Sequence, residues 1–119
     1  MAAPNLNSPT KVEGKLGTLA VTTSAQAIVS NASNSGKTLR IAALYVSNVD
    51  GTSAASVNVD LYNGTDTARI AYEVSVPADA TLLPVVKDSL LYLPEGWALR
   101  LTAGTANDLE AVCSYEEIS

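Results

Sequence analysis

Residues 38–76, TLRIAALYVSNVDGTSAASVNVDLYNGTDTARIAYEVSV, are the stretch that decides the fold. Apolar and polar side chains alternate over residues 57–62 and again over residues 69–76, and this period of two is typical of a strand with one buried face. The turn residues 63–66, Asn-Gly-Thr-Asp, separate the two runs. The stretch therefore predicts three consecutive β-strands joined by two turns.

The apolar faces of the last two strands predict how these strands pair, because matching the faces fixes one register. The predicted pairs are Val57–Val74, Val59–Tyr72 and Leu61–Ile70. In this register, Ile70 and Tyr72 point toward the core. A slip of one residue would turn every apolar side chain of the hairpin toward water.

The first strand of the stretch, residues 39–49, is largely apolar on both faces. One face carries Leu39, Ile41, Ala43 and Tyr45, and the other carries Ala42, Leu44 and Val46. Its β-branched and aromatic residues and the turn that follows favour a strand over a buried helix. A strand that is apolar on both faces is either central in its sheet or has its outer face against a partner.

Turn signals divide the whole chain into short runs with strand character. The predicted strands are residues 11–22, 25–30, 39–49, 57–62, 69–76, 82–86, 90–93, 97–103 and 109–115. Pro84 restricts its strand to a sheet edge or a bulge. Eight or nine short strands, with no amphipathic helix, predict an all-β fold: a single antiparallel β-sandwich with a jelly-roll or Ig-like strand order.

The first residues of the chain differ from the rest. Residues 1–11 contain Pro4 and Pro9 and show no apolar periodicity. They therefore predict an extended N-terminal arm, for which a disordered tail is the alternative. Residues 12–119 are then the β-sandwich domain, and a chain of 119 residues has the size of one domain.

The composition of the chain excludes several kinds of partner. The net charge is −5, whereas a nucleic-acid-binding domain usually carries a basic face. The chain has no run of about 18 apolar residues to span a membrane, and its N-terminus does not resemble a signal peptide. The single cysteine, Cys113, cannot form an internal disulfide. These features predict no nucleic acid, no membrane and assembly in a cytoplasm.

The residues that usually carry chemistry are missing or poorly placed. The chain has no His, which excludes Ser-His-Asp catalysis and His-containing metal sites. Residues 31–38, NASNSGKT, resemble a phosphate loop but lack its first glycine and a following helix. Residues 48–52, NVDGT, lack the later Glu of a calcium loop, and Cys113 alternates with apolar residues as a buried side chain does. We expect no enzyme activity, cofactor, metal or small-molecule substrate.

Aromatic side chains leave one binding alternative open. Tyr62, Tyr92 and Trp97 would form a platform on which sugars stack, if they lie together on the surface. The chain has only five Tyr and one Trp, and no Phe. Trp97 also alternates with Leu99 and Leu101, which favours a place in the core.

Four segments resemble a known group of proteins. They are residues 1–15, MAAPNLNSPTKVEGK; residues 46–63, VSNVDGTSAASVNVDLYN; residues 74–82, VSVPADATL; and residues 102–119, TAGTANDLEAVCSYEEIS. These segments are similar to small virion structural proteins of tailed bacteriophages, especially phages of cyanobacteria. Their motifs are turns and chain ends, not catalytic residues. The resemblance implies a β-rich protein without enzymatic activity, placed on the capsid or in the neck, tail or baseplate.

The resemblance and the strand pattern lead to one favoured hypothesis. The protein is expected to be a capsid decoration (cement) protein that binds and stabilises neighbouring major capsid subunits, and to associate with copies of itself as a homotrimer in the virion. The expected contact residues are Pro4, Asn5, Leu6, Pro9 and Lys11 of the arm and Ala42, Leu44 and Val46 of the apolar strand. The alternatives are a neck, tail or baseplate component and a carbohydrate-binding module for host attachment.

Overall fold

The computed structural model describes residues 3–86, 88 and 91–119, and these residues form nine β-strands. The strands are β1 Val12–Ala20, β2 Gln26–Ser30, β3 Thr38–Asn48, β4 Ala55–Tyr62, β5 Thr67–Val76, β6 Thr81–Val85, β7 Leu91–Leu93, β8 Ala98–Ala103 and β9 Leu109–Ile118. Each predicted strand has its counterpart, and the all-β fold is confirmed. Outside the described residues lie Met1 and Ala2 of the arm, the turn residues Lys87 and Ser89, and Leu90, the predicted start of the seventh strand.

The strands form two antiparallel sheets that pack face to face. The first sheet has the order β1-β9-β3-β6, with β7 also paired to β3, and the second has the order β2-β8-β4-β5. β6 pairs near the end of β3 and β7 near its start, so the two short strands share one sheet edge. Pro84 lies in β6 beside a shift in register, as the sequence predicts for an edge strand.

Nested antiparallel pairs define the topology. β4 pairs with β5, β3 with β6 and β7, β2 with β8, and β1 with β9. A long hairpin wound across two sheets in this way is a jelly roll, so the strand order selects the jelly roll from the two orders that the sequence leaves open. The three consecutive strands predicted for residues 38–76 are present, but β3 and β4 lie in different sheets.

A bulge in β3 changes which of its side chains face the core. The register of β3 with β9 shifts between Ile41 and Ala43, so Ala42 is an extra residue in the ladder. Beyond the bulge, Leu44 and Val46 are 0% exposed. The prediction that Leu44 and Val46 share an exposed outer face with Ala42 is therefore wrong for Leu44 and Val46, because the extra residue moves the alternation by one position.

Bulges also change the predicted pairing of β4 with β5. One predicted pair, Val57–Val74, is present, and the pairs that replace the other two are Val59–Ala71 and Leu61–Ala68. Ile70 and Tyr72 are exposed, and not inward-facing as the alternation predicts. Next to Tyr72, Glu73 has a φ of 50° and donates its N–H to an asparagine side chain of β4 at 2.6 Å. This local distortion turns part of the edge strand outward.

The core lies between the two sheets and receives aliphatic side chains from both. The largest fully buried side chains include Ile41, Leu44, Leu93, Leu99, Leu101 and Leu109. The predicted burial of Leu99 and Leu101 is confirmed, and Trp97 packs against the margin of the core. Each buried aliphatic side chain contributes roughly 1.5–3 kcal/mol, so the two sheets give the surfaces described below a rigid base.

Two buried asparagines join the sheets at opposite ends of the sandwich. Asn31, which follows β2, donates its side-chain amide to the carbonyl oxygen of Leu93 in β7 at 3.0 Å. Asn48, at the end of β3, donates its amide to the carbonyl oxygen of Val76 in β5 at 2.9 Å. Each bond crosses from one sheet to the other, so the asparagines fix the loops at both ends.

Gly17 lies where β2 passes close to β1. A Cβ at this position would be 2.8 Å from the carbonyl oxygen of Ile28, which is closer than van der Waals contact allows. We expect Gly17→Ala to lower the free energy of unfolding by about 1–3 kcal/mol, as overpacking does. Urea denaturation measures the change, with Gly51→Ala as control, since the nearest atoms to that added methyl group, the carboxylate oxygens of Asp79, are 3.8 and 3.9 Å away. Equal stability of the two variants would contradict the close approach.

Candidate functional site

The arm leaves the sandwich beside the last strand. Lys11 and Ser119 exchange two main-chain hydrogen bonds of 2.9 and 2.8 Å, and these bonds hold the base of the arm. Further out, Ser8 donates its N–H to the carbonyl oxygen of Asn5 at 3.1 Å, so the arm contains a turn and is not extended throughout. The predicted contact residues of the arm are exposed at Asn5, Leu6 and Lys11 and half-buried at Pro4 and Pro9.

The outer face of the first sheet carries exposed apolar side chains on neighbouring strands. Tyr45 of β3 is opposite Val112 of β9. Leu16 lies on β1 beside β9, and Leu83 lies in the part of β6 that pairs around Tyr45. Leu16, Tyr45 and Leu83 are 66%, 40% and 44% exposed. We call Leu16, Tyr45, Leu83 and Val112 the apolar row.

Few charged residues interrupt this outer face. Among the strand positions that the register places there, the charged residues are Arg40, Glu110 and Glu116, and Arg40 forms an ion pair with Glu116. Several exposed apolar side chains on neighbouring strands favour an interaction site, and depletion of charge is typical of the centre of a protein interface. The outer face of the first sheet is therefore the candidate interaction surface. The regular alternation in the sequence does not predict this surface, because the alternation places Tyr45 on the same face as the buried Leu39.

The outer face of the second sheet carries a polar cluster instead. Nε of Arg100 donates to Oδ1 of the buried Asp60 at 2.8 Å, and the guanidinium lies 3.9 Å from the ring centre of Tyr62. Arg69, opposite Asp60 in the ladder, lies 4.6 Å from the ring centre of Tyr72. Both guanidinium groups thus make cation–π contacts within the chain. Arg100 thus covers one face of the Tyr62 ring.

The loop that resembles a phosphate loop has a structural role. Asn31 is buried within it, and the N–H of Gly36 donates to Oε1 of Glu95 at 2.6 Å. This N–H is a donor of the kind that a phosphate would need, and a carboxylate already occupies it. The loop leads into β3, a strand and not a helix. The geometry therefore fits a loop that is tied to the opposite sheet.

The loop after β3 is a local turn. Oδ1 of Asp50 accepts the N–H of Thr52 at 3.0 Å and its hydroxyl at 2.9 Å. These two hydrogen bonds lower the pKa of Asp50 below its ordinary value, because they stabilise the ionised carboxylate. The carboxylate is thus used to close the turn, which agrees with the interpretation of residues 48–52 as a turn.

Cys113 is fully buried in the core, as predicted. Burial raises the pKa of its thiol to about 12, because an apolar surrounding disfavours the thiolate. We expect the folded protein to react with a disulfide reagent at pH 8 more than about 100-fold more slowly than the protein unfolded in urea. The release of the coloured thiolate from the reagent measures both rates. Similar rates in the two states would show that the thiol is accessible.

The described part of the chain offers few features of a chemical site. Within it, no group of three or more His, Cys, Asp or Glu residues is placed to hold a metal ion. None of its segments is a helix long and apolar enough to cross a membrane. A shallow depression of about 380 Å³ is lined by Thr18, Leu19, Ala20, Glu110, Ala111 and Val112. Its one ionisable lining residue is Glu110, whereas a small-molecule site needs several converging polar groups.

The fold and these surfaces define a small all-β jelly roll with one nearly uncharged outer face. No protein-family profile matches the chain, and no curated protein matches it. Five chains of solved structures match, and one of them is a pentameric capsid protein isolated from metagenomic phage sequences, with 16% identity and a TM-score of 0.42. The match covers 87% of this chain and 60% of the capsid protein, so this chain spans less than two thirds of that protein's length.

Proposed function

We propose that this protein is a non-enzymatic structural protein of a bacteriophage virion, and that it acts there as a capsid decoration (cement) protein. In this role it binds and stabilises neighbouring major capsid subunits and associates with copies of itself as a trimer. It reaches the virion after assembly in the host cytoplasm. The observation that carries the proposal is the nearly uncharged outer face of the first sheet with its apolar row.

The outer face has the size and composition that such a contact needs. The molecule measures 48 × 27 × 19 Å, so one sheet face can supply the roughly 800 Å² per partner of a standard protein interface. Tyr45 is the central anchor, because exposed aromatic side chains contribute strongly to interfaces. A decoration protein also binds in many copies, so a modest contact at each copy gives a stable shell. Jelly rolls serve in capsids, but also in lectins, so the fold supports the proposal only by analogy.

The arm supplies a second proposed contact. Beyond Lys11, its described hydrogen bonds are local to one turn. A segment of this kind gains order when it binds a neighbouring subunit. The proposed contact residues of the arm are Pro4, Asn5, Leu6, Pro9 and Lys11. On β3, Tyr45 replaces Leu44 and Val46 as the proposed contact, because both of those side chains are buried.

Two alterations test the proposal directly. We expect deletion of residues 1–10, and separately Tyr45→Ser, to weaken binding to capsids that lack this protein by about 10-fold or more. Co-sedimentation with the capsids measures the binding. Tyr72→Ser is the matched control, because Tyr72 is also exposed but lies on β5, in the other sheet. Binding of both altered proteins as tightly as the unaltered one would overturn the proposed contacts.

A neck, tail or baseplate component is the second candidate, since it would use the same apolar face and arm. Such a component occurs in a small fixed number of copies at a symmetry axis, whereas a decoration protein covers the shell. The number of copies in a virion therefore separates the two. A carbohydrate-binding module has less support, because Arg100 covers Tyr62 and Trp97 packs against the core.

A further inference from the structure

Half of β1 presents an open strand edge. β1 pairs with β9 on one side and is the terminal strand of its sheet. At Gly17 the carbonyl oxygen of Ile28 lies 2.8 Å from the position of an added Cβ, so β2 packs against the inner face of β1 there. Residues 12–16, in contrast, are exposed except at the half-buried Glu13. The most exposed stretch of this open edge is thus the first half of the strand.

The main-chain groups on this edge have a known direction. Lys11 and Ser119 exchange both of their main-chain hydrogen bonds, so the N–H and C=O of Lys11 point toward β9. These groups alternate in direction along a strand. The N–H and C=O groups of Val12, Gly14 and Leu16 therefore point away from β9, toward the open edge. An unpaired row of this kind is a template for another strand.

Charge selects one way in which this edge pairs with itself. An antiparallel pair of identical strands has a two-fold axis. The axis must place the even-numbered residues of one copy opposite the even-numbered residues of the other, because the main-chain groups of these residues point toward the open edge. An axis at Glu13 sets two glutamates face to face, and an axis at Lys15 sets two lysines face to face, both of which are unfavourable. An axis at Gly14 sets Glu13 opposite Lys15 of the second copy, and does so twice. The sequence of β1 is thus self-complementary about Gly14.

The apolar side chains agree with the same register. An axis at Gly14 places Val12 opposite Leu16 of the second copy, also twice. Val12 and Leu16 are 48% and 66% exposed, which is costly for side chains of this kind in water. Packing within the chain does not require a glycine at position 14, since no atom lies within 4 Å of an added Cβ. A glycine inside a strand often marks a close approach by another backbone.

We propose that residues 12–16 are a two-fold contact with a second copy of this chain, in which the two β1 strands pair antiparallel about Gly14. The contact joins the two first sheets into one continuous sheet and places their apolar rows side by side. Three pairs share the new main-chain hydrogen bonds, Gly14 with Gly14 and Val12 with Leu16 in both directions. The contact is separate from the proposed trimer and does not depend on a role in a virion.

Cysteine trapping tests the register. We expect an equimolar mixture of Glu13→Cys and Lys15→Cys proteins to form disulfide-linked dimers under mild oxidation at least about 10-fold faster than either protein alone. The reason is that residue 13 of one copy lies directly opposite residue 15 of the other, within disulfide range. The two residues 13 lie farther from each other, and so do the two residues 15. Cys113 is buried and stays out of the reaction. Thr18→Cys, on the half of β1 beside β2, is the control and should remain unlinked. A mixture that reacts no faster than the single variants would overturn the register.

Charge reversal tests the same contact without a covalent bond. We expect Glu13→Lys and Lys15→Glu each to abolish the pairing, because each creates two like-charged contacts. The double variant, and a mixture of the two single variants, should restore it. Sedimentation measures the mass of the protein in solution, which pairing doubles. A single chain has a mass of 12.3 kDa. Circular dichroism checks that the substitutions leave the fold intact. The proposal is overturned if the unaltered protein never doubles in mass up to about 1 mM, or if neither restoration occurs.

Discussion

Leu44→Ala is expected to lower the free energy of unfolding by about 3 kcal/mol, whereas Tyr45→Ala, at the next position, should lower it by less than about 1 kcal/mol. Leu44 is fully buried, so its loss removes apolar contacts and leaves a cavity between the sheets. Tyr45 is 40% exposed on the outer face of the first sheet. Urea denaturation of the two variants measures both changes.

The comparison of these two neighbours tests the bulge at Ala42. If the alternation of β3 continued unbroken through Ala42, Tyr45 would share the inner face with Leu39, and Leu44 would be exposed. A larger loss of stability for Tyr45→Ala than for Leu44→Ala would therefore contradict the bulge. Tyr45→Ala should also weaken attachment to the capsid. Leu44→Ala should weaken this attachment only to the extent that it lowers the fraction of folded protein.

Asn48→Ala is expected to lower the free energy of unfolding by about 2–4 kcal/mol. The side chain is 3% exposed, and its amide donates to the carbonyl oxygens of Ser53 and Val76, each at 2.9 Å. Its Oδ1 accepts the N–H of Asp50 at 2.9 Å. Removal of the side chain leaves the buried carbonyl oxygen of Val76 without this hydrogen bond, and this costs more than the loss of an exposed bond. The bonds to Ser53 and Asp50 are partly buried and add to the loss. Thermal and urea unfolding measure the change.

Asn63→Ala is the matched control for this prediction. Oδ1 of Asn63 accepts N–H groups of Thr65 at 2.9 Å and Asp66 at 2.6 Å, but these bonds are exposed. Water replaces such bonds when they are lost, so the expected change is about 1 kcal/mol or less. Similar losses for the two variants would show that Asn48 does not hold the two sheets together.

The sequence predicts the positions of the strands well, because alternation and turns are local signals. Each predicted strand has its counterpart, and the turn at residues 63–66 joins β4 and β5 as expected. Beyond the hairpin of β4 and β5, the sequence does not predict which strands are neighbours. β1 and β9, for example, come from opposite ends of the chain, and no local pattern records that pairing.

The sequence predicts a contact on the outer face of β3 but not which side chains form it, because this depends on one extra residue in the strand. A bulge changes the alternation by a single position and leaves composition unchanged. A signal for it exists in the polar residues of this strand. Arg40 and Ser47 are both on the outer side, next to Glu116 and Thr81, yet they are an odd number of positions apart. Two such residues cannot share one face of a regular strand, so their spacing points to a bulge between them.

The number of copies of this protein in a purified virion tests the central claim most directly. Quantitative mass spectrometry against the major capsid protein gives that number. The decoration role predicts a copy number in a simple whole-number ratio to the major capsid protein over the entire shell. A small fixed number, as at a symmetry axis, would contradict decoration and favour the neck, tail or baseplate. Absence from the virion would contradict a structural role in the particle altogether.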